Sequence, residues 1–104
     1  MSLVTKPGTR YRSAVDQTEV IVVKPAKGPI DLRCGGHPVV AIGTEAPTGL
    51  TLDPAFSAGT PLGKRFADGD TGLELLCTKG GAGSLSIGEV ILAQKDAKPL
   101  PSSD

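Results

Sequence analysis

The densest group of chemistry-bearing side chains is the run Cys34-Gly35-Gly36-His37-Pro38. A thiolate beside an imidazole can act as a nucleophile or as a metal ligand. The setting is a glycine-proline turn, and no third residue is identifiable that would orient the base. A leftover cysteine beside a turn histidine is the simpler account. Asp16, Cys34 and His37, joined by Cys77, form a mixed set that can ligate zinc, but their spacing follows no zinc pattern. Cys77 by itself ends the apolar run Leu73-Glu74-Leu75-Leu76-Cys77, where a small core residue belongs.

Two other motifs have ordinary readings. Asp68-Gly69-Asp70 looks like the start of a calcium loop, yet the twelfth position, which needs glutamate, is Lys79. An acidic turn fits it better. Gly80-Gly81-Ala82-Gly83 can cradle a phosphate only by leading into a helix N-terminus. It leads instead into Leu85-Ser86-Ile87, which alternates as a strand does, so the glycines read as a hairpin turn.

The elements that must position these residues are short. Thr18 to Val23 is a β-rich run stopped by Pro25, and Lys24 to Gly28 turns the chain. Ile30 to Cys34 alternates apolar and polar residues. Gly35-Gly36 breaks it, and Val39 to Ile42 is apolar again. From Gly43 to Leu62 the pattern dissolves, with Pro47, Pro54 and Pro61 along it; a stretch of that length reads as a passage between two units. Leu73 to Cys77, Leu85 to Ile87 and Val90 to Leu92 then supply three more strand candidates. Glu89 to Lys95 has room for one helical turn at most. The last residues, 95–104, carry Pro99 and Pro101 and read as a solvated tail.

Composition agrees with frequent reversals and few helices. The chain of 104 residues has 14 Gly and 9 Pro, and its only rings are Tyr11, Phe56 and Phe66, so the core must come from Val, Ile and Leu. Eleven basic side chains cancel eleven acidic ones, leaving no basic patch and no stacking platform for nucleic acid. No apolar run approaches the roughly 18 residues that span a bilayer. The first residues lack the apolar segment of a secretory signal, which makes the cytoplasm the expected compartment and leaves Cys34 and Cys77 as free thiols.

The second half repeats the order of the first. Tyr11 falls on Phe66, each after an arginine; Glu19-Val20-Ile21 falls on Glu74-Leu75-Leu76; Lys24 meets Lys79, Gly28 meets Gly83 and Ile30 meets Leu85. After a two-residue slip Gly35 meets Gly88. A unit of this size cannot bury enough apolar surface to fold alone, whereas two units can share one core.

Tyr11 to Val20, followed by Leu32-Arg33-Cys34-Gly35-Gly36-His37-Pro38-Val39, resembles desulforedoxin and the N-terminal domain of desulfoferrodoxins. That resemblance implies a Cys-x-x-Cys knuckle at Ser13 and Asp16 and a cysteine pair at Cys34 and Gly35. In the second half the same positions are Asp68, Thr71, Ile87 and Gly88. The family holds iron with four thiolates and works as a dimer of short chains. Here Cys34 alone remains at those positions, so the resemblance implies the scaffold without iron-based electron transfer. Gly83 to Gly88 also resembles the loading peptides of encapsulin cargo, but it falls on a core strand of the repeat.

These readings give one expectation. The chain is all-β, with two tandem short β-hairpin modules packed as an internal pseudo-dimer, rubredoxin-like or a small barrel. The first module spans 1–45, a Pro/Gly-rich connector 46–62, the second module 63–94 and a tail 95–104. Its expected function is non-enzymatic: a cytoplasmic, metal-free binding or accessory protein without cofactor. It takes a protein or small ligand between the modules, as monomer or homodimer, with no role on nucleic acid or membrane. The alternatives are a thiol-dependent enzyme or redox sensor using Cys34, and a zinc or iron protein with altered ligands drawn from Asp16, Cys34, His37 and Cys77.

Overall fold

The computed structural model describes residues 3–95, without the side chain of Lys95. Beyond Lys95, the expected tail lies outside the described residues. The chain is all-β. In chain order the strands are β1 (Arg10–Arg12), β2 (Glu19–Lys24), β3 (Leu32–Cys34), β4 (His37–Pro38) and β5 (Val40–Ala41). One turn of 3-10 helix (Pro54–Phe56) follows, then β6 (Arg65–Ala67), β7 (Glu74–Lys79), β8 (Leu85–Ile87), β9 (Val90–Ile91) and β10 (Ala93–Lys95).

The strands form two antiparallel sheets, ordered β10-β6-β7-β2-β1-β5 and β4-β3-β8-β9. Exchange each of β1 to β5 for the strand five places later and both orders simply reverse. The seam between the halves is therefore β2 against β7 in one sheet and β3 against β8 in the other. Alternation explains which face each seam strand buries. Val20 and Val22 of β2 point inward, as do Leu75 and Cys77 of β7, and the register sets Val20 opposite Cys77 and Val22 opposite Leu75.

The ends of β2 and β7 lie one residue out of that register, beyond bulges between Glu19 and Val20 and between Val22 and Lys24. β2 and β7 each begin with glutamate and end with lysine, and past the bulges their antiparallel pairing sets Glu19 opposite Lys79 and Lys24 opposite Glu74. The Lys24 and Glu74 side chains lie 4.0 Å apart. With the Lys24 side chain largely in solvent, this pair contributes only about 0–1 kcal/mol. Burial sets the register between the bulges, because a slip by one residue would turn Val20 and Val22 out of the core.

One buried cluster joins the sheets. It takes Tyr11, Val20 and Val22 together with Phe66, Leu75 and Cys77 from the larger sheet, and Leu32, Cys34 and Leu85 from the smaller. Both halves feed this core. At the β3–β4 hairpin, Gly35 (φ +67°) and Gly36 (φ +88°) make the two-residue turn, a backbone path that side chains disfavour.

Three features differ from the sequence expectation. β1 and β6 are strands where the sequence reading assigns no element, and Arg-Tyr-Arg and Arg-Phe-Ala each bury one ring between outward residues. The room left for a helical turn near Glu89 is filled by β9 and β10. Leu85 occupies the place of Leu32 rather than of Ile30, since the link between β2 and β3 (residues 25–31) is two residues longer than its counterpart (residues 80–84).

Residues 58–64, the first five of them in the expected connector, run along β7 as residues 3–9 run along β2. Gly8 N donates to Val22 O and Val22 N to Thr9 O, both at 2.9 Å. Gly63 N donates to Cys77 O and Cys77 N to Lys64 O at the same distance. Leu3 exchanges two backbone hydrogen bonds with Ile30, and Thr60 exchanges two with Gly81.

Candidate functional site

Cys34 is fully buried, with Ser13, Asp16 and Thr18 acting on its thiol. The loop that brings them there is closed by its own oxygens. Ser13 Oγ accepts the amides of Val15 (3.1 Å) and Asp16 (3.2 Å), and Asp16 Oδ1 accepts the amide of Thr18 (3.0 Å). Asp16 Oδ2 reaches across the seam to accept the amide of Gly83. The matching loop of the second half closes likewise, with Asp68 Oδ2 accepting Thr71 N at 3.0 Å and Thr71 Oγ1 at 2.7 Å.

Electrostatics makes Cys34 a poor nucleophile. Burial, reinforced by the Asp16 charge, pushes its thiol up to about 11, although the Thr18 and Ser13 hydroxyls pull the other way. At neutral pH only about one molecule in ten thousand carries the thiolate. A disulfide reagent such as Ellman's should therefore label Cys34 in the folded protein at least about a hundredfold more slowly than in guanidinium. Equal rates would show an open, activated thiol.

The remaining sequence candidates separate. His37 is the cross-strand partner of Cys34, but it is half-exposed and its Nε2 lies 2.8 Å from the Thr51 carbonyl. Cys77 is buried, donates to the Lys79 carbonyl at 3.2 Å, and has its thiol raised mainly by burial. Both cysteines are free thiols. Among the described residues no three His, Cys, Asp or Glu side chains are placed to hold one metal ion. The donors around Cys34 do not fit an iron–sulfur-ligand site. Ser13 and Asp16 spend their oxygens on backbone amides, the thiol is held protonated, and Gly35 has no side chain.

Asp16 is instead a clasp. Burial raises its carboxyl, but the donors Thr18, Ser13 and Gly83 outweigh burial and hold it below the ordinary value of 3.8. Its contribution is fully present above that value and is lost as pH falls through the lower folded-state pKa. Asp16→Ala should cost about 2 kcal/mol at pH 7 and flatten the acid limb of the stability curve. Urea titrations between neutral and acid pH measure both effects. An unchanged acid limb would rule the clasp out.

The site that sequence reading missed is a groove of about 490 Å3 on the second half. Buried Phe66, Leu85 and Leu92 form its floor, and Ala58, Pro61 and Ile91 border it. No charged residue lines it. Its hydroxyls already have partners, with Thr60 Oγ1 donating to Gly83 O at 2.6 Å and Ser84 Oγ accepting Ala58 N at 2.9 Å. It therefore offers mainly apolar surface, at a volume typical of ligand pockets. It lies between residues 58–61 and the second half, not between the two halves. Four separate stretches build it, so no motif marks it; the available signal was a small Ala58 where the first half has Leu3.

No helix among the described residues is long and apolar enough to cross a membrane. Comparison of the chain with protein-family models, with curated proteins and with solved structures gives no match to any of them.

Proposed function

We propose that this chain is a small non-enzymatic binding or accessory protein that holds an apolar ligand in the groove beside Ala58. The observation that carries the reading is that groove, with a neutral lining whose hydroxyls are internally bonded. A site of this kind selects by shape and apolar contact. The buried, protonated thiol of Cys34 supports a binding role over thiol chemistry.

The scaffold reading is a metal-free relic of a desulforedoxin-like module, duplicated so that one chain forms its own pseudo-dimer. Reversal of strand order about the seam supports the duplication. The gathering of Ser13 and Asp16 about Cys34 supports the ancestry. A cytoplasmic setting, in which both thiols stay reduced, belongs to this reading.

The test is a titration of the 15N-labelled protein with 4-methylpentanamide, a neutral isobutyl probe, followed by NMR. Saturable shifts confined to residues 58–60, Leu85, Ile91 and Leu92 are expected. No saturable shift, or shifts centred on Cys34, would overturn the reading.

A further inference from the structure

In the first half, the place of the groove is filled by the chain itself. Leu3, ahead of the turn at Pro7-Gly8, is held to Ile30 by two backbone hydrogen bonds of 2.7 and 2.9 Å. Both side chains join the core, Ile30 fully and Leu3 in part. The hydrogen-bond correspondences Gly8 with Gly63 and Thr9 with Lys64 put Ala58 where Leu3 stands. Counting back two from the matched leucines Leu32 and Leu85 puts Gly83 where Ile30 stands. A methyl and a hydrogen thus replace two branched aliphatic side chains, and the groove opens beside them.

The second half cannot close that space at residue 83. A Cβ on Gly83 would lie 2.9 Å from Gly35 N and 3.0 Å from Gly35 Cα, both backbone atoms of the other half. Ile91, at the border of the groove, is 49% exposed. Large apolar side chains left open beside a groove mark a surface that meets a macromolecule.

We propose that the groove receives a leucine-sized side chain from an extended, uncharged segment of a partner protein, in the role that Leu3 plays in the first half. This rests on the groove being the binding site. The fold supplies the precedent for the occupant's form, since Leu3 is presented from an antiparallel β-bridge to Ile30. Half-exposed Ile91 at the border gives the residues flanking the inserted side chain an apolar contact. β10 and β9 are edge strands of the two sheets among the described residues. The absence of charge in the lining selects against Lys, Arg, Asp or Glu at the inserted position.

The experiment titrates the full-length labelled protein with the capped peptide Ser-Val-Leu-Thr-Ser, with Ser-Val-Lys-Thr-Ser as control and 4-methylpentanamide in parallel. The leucine peptide should bind at least about tenfold more tightly than the lysine peptide, with shifts at residues 58–60, Leu85 and Leu92. Ala58→Leu should weaken it by at least about tenfold by refilling the space. Ile91→Lys, at an exposed position where folding is not at issue, should weaken it as well. Equal binding of the two peptides, or peptide binding that survives both substitutions, overturns the proposal. If 4-methylpentanamide binds and the peptide does not, the peptide inference falls while the groove reading stands. If neither binds, both fall. Shifts that appear on raising protein concentration alone would assign the groove to a second copy and also overturn it.

Discussion

Gly83→Ala is expected to lower stability by about 4 kcal/mol, a large share of the roughly 5–15 kcal/mol that holds a domain of this size. The added Cβ would sit 2.7 Å from Asp16 Oδ2 as well as within 3.0 Å of Gly35 N and Gly35 Cα. A side-chain oxygen can rotate away; the backbone of Gly35 cannot. Relief requires the β3–β4 turn and the 80–84 link to part, which also breaks the Asp16 to Gly83 hydrogen bond. Overpacking costs about 1–3 kcal/mol and loss of a hydrogen bond to a charged group about 1.5–3 kcal/mol. Gly28→Ala is the matched control, because its Cβ meets nothing within 4 Å and its φ is not positive. It should be neutral or stabilise by about 0.5 kcal/mol. Urea midpoints of the two variants decide the point, and equal midpoints would mean that the halves do not touch there.

Leu75→Ala should cost about 3 kcal/mol, with a plausible span of about 2–5. Leu75 is fully buried in β7, opposite Val22 across the seam and opposite Phe66 within its own half. Truncation leaves a cavity that neither strand can fill without leaving its register. Leu76→Ala is the contrasting case. That neighbour faces outward, half-buried, opposite Ile21, and its loss should cost about 1 kcal/mol. The comparison separates burial from strand propensity, since the two leucines are adjacent on one strand. Equal costs would contradict the assigned inward face of β7.

How much of this was legible follows from element length and from what each residue meets. β2, β3, β7 and β8 could be read because Val20-Ile21-Val22-Val23, Leu32 to Cys34, Leu75-Leu76 and Leu85 to Ile87 carry β-branched or alternating patterns. β1 and β6 could not, since three residues around Tyr11 or Phe66 hold too little periodicity; only their matched rings stood out. The slip between Ile30 and Leu32 was hidden because both residues are apolar and both are buried. Cys34 and His37 are neighbours across the hairpin as their spacing suggests. Their roles divide on burial, which local sequence does not encode. The groove was least legible of all, because it depends on Ala58 and Gly83 being smaller than residues far away in the chain.

The measurement that bears most directly on the central claim is equilibrium unfolding of the full-length protein, dialysed against a chelator and followed by one reporter in each half. Tyr11, the sole tyrosine in a chain without tryptophan, reports the first half by fluorescence, and the Leu92 methyl resonances report the second. Apolar side chains meeting along β2 against β7 and β3 against β8 should make both reporters lose their native signal at one urea midpoint, unmoved by the chelator. Two separate midpoints would show halves that stand independently, and a midpoint that falls when metal is stripped would show that an ion, not the shared core, holds the fold.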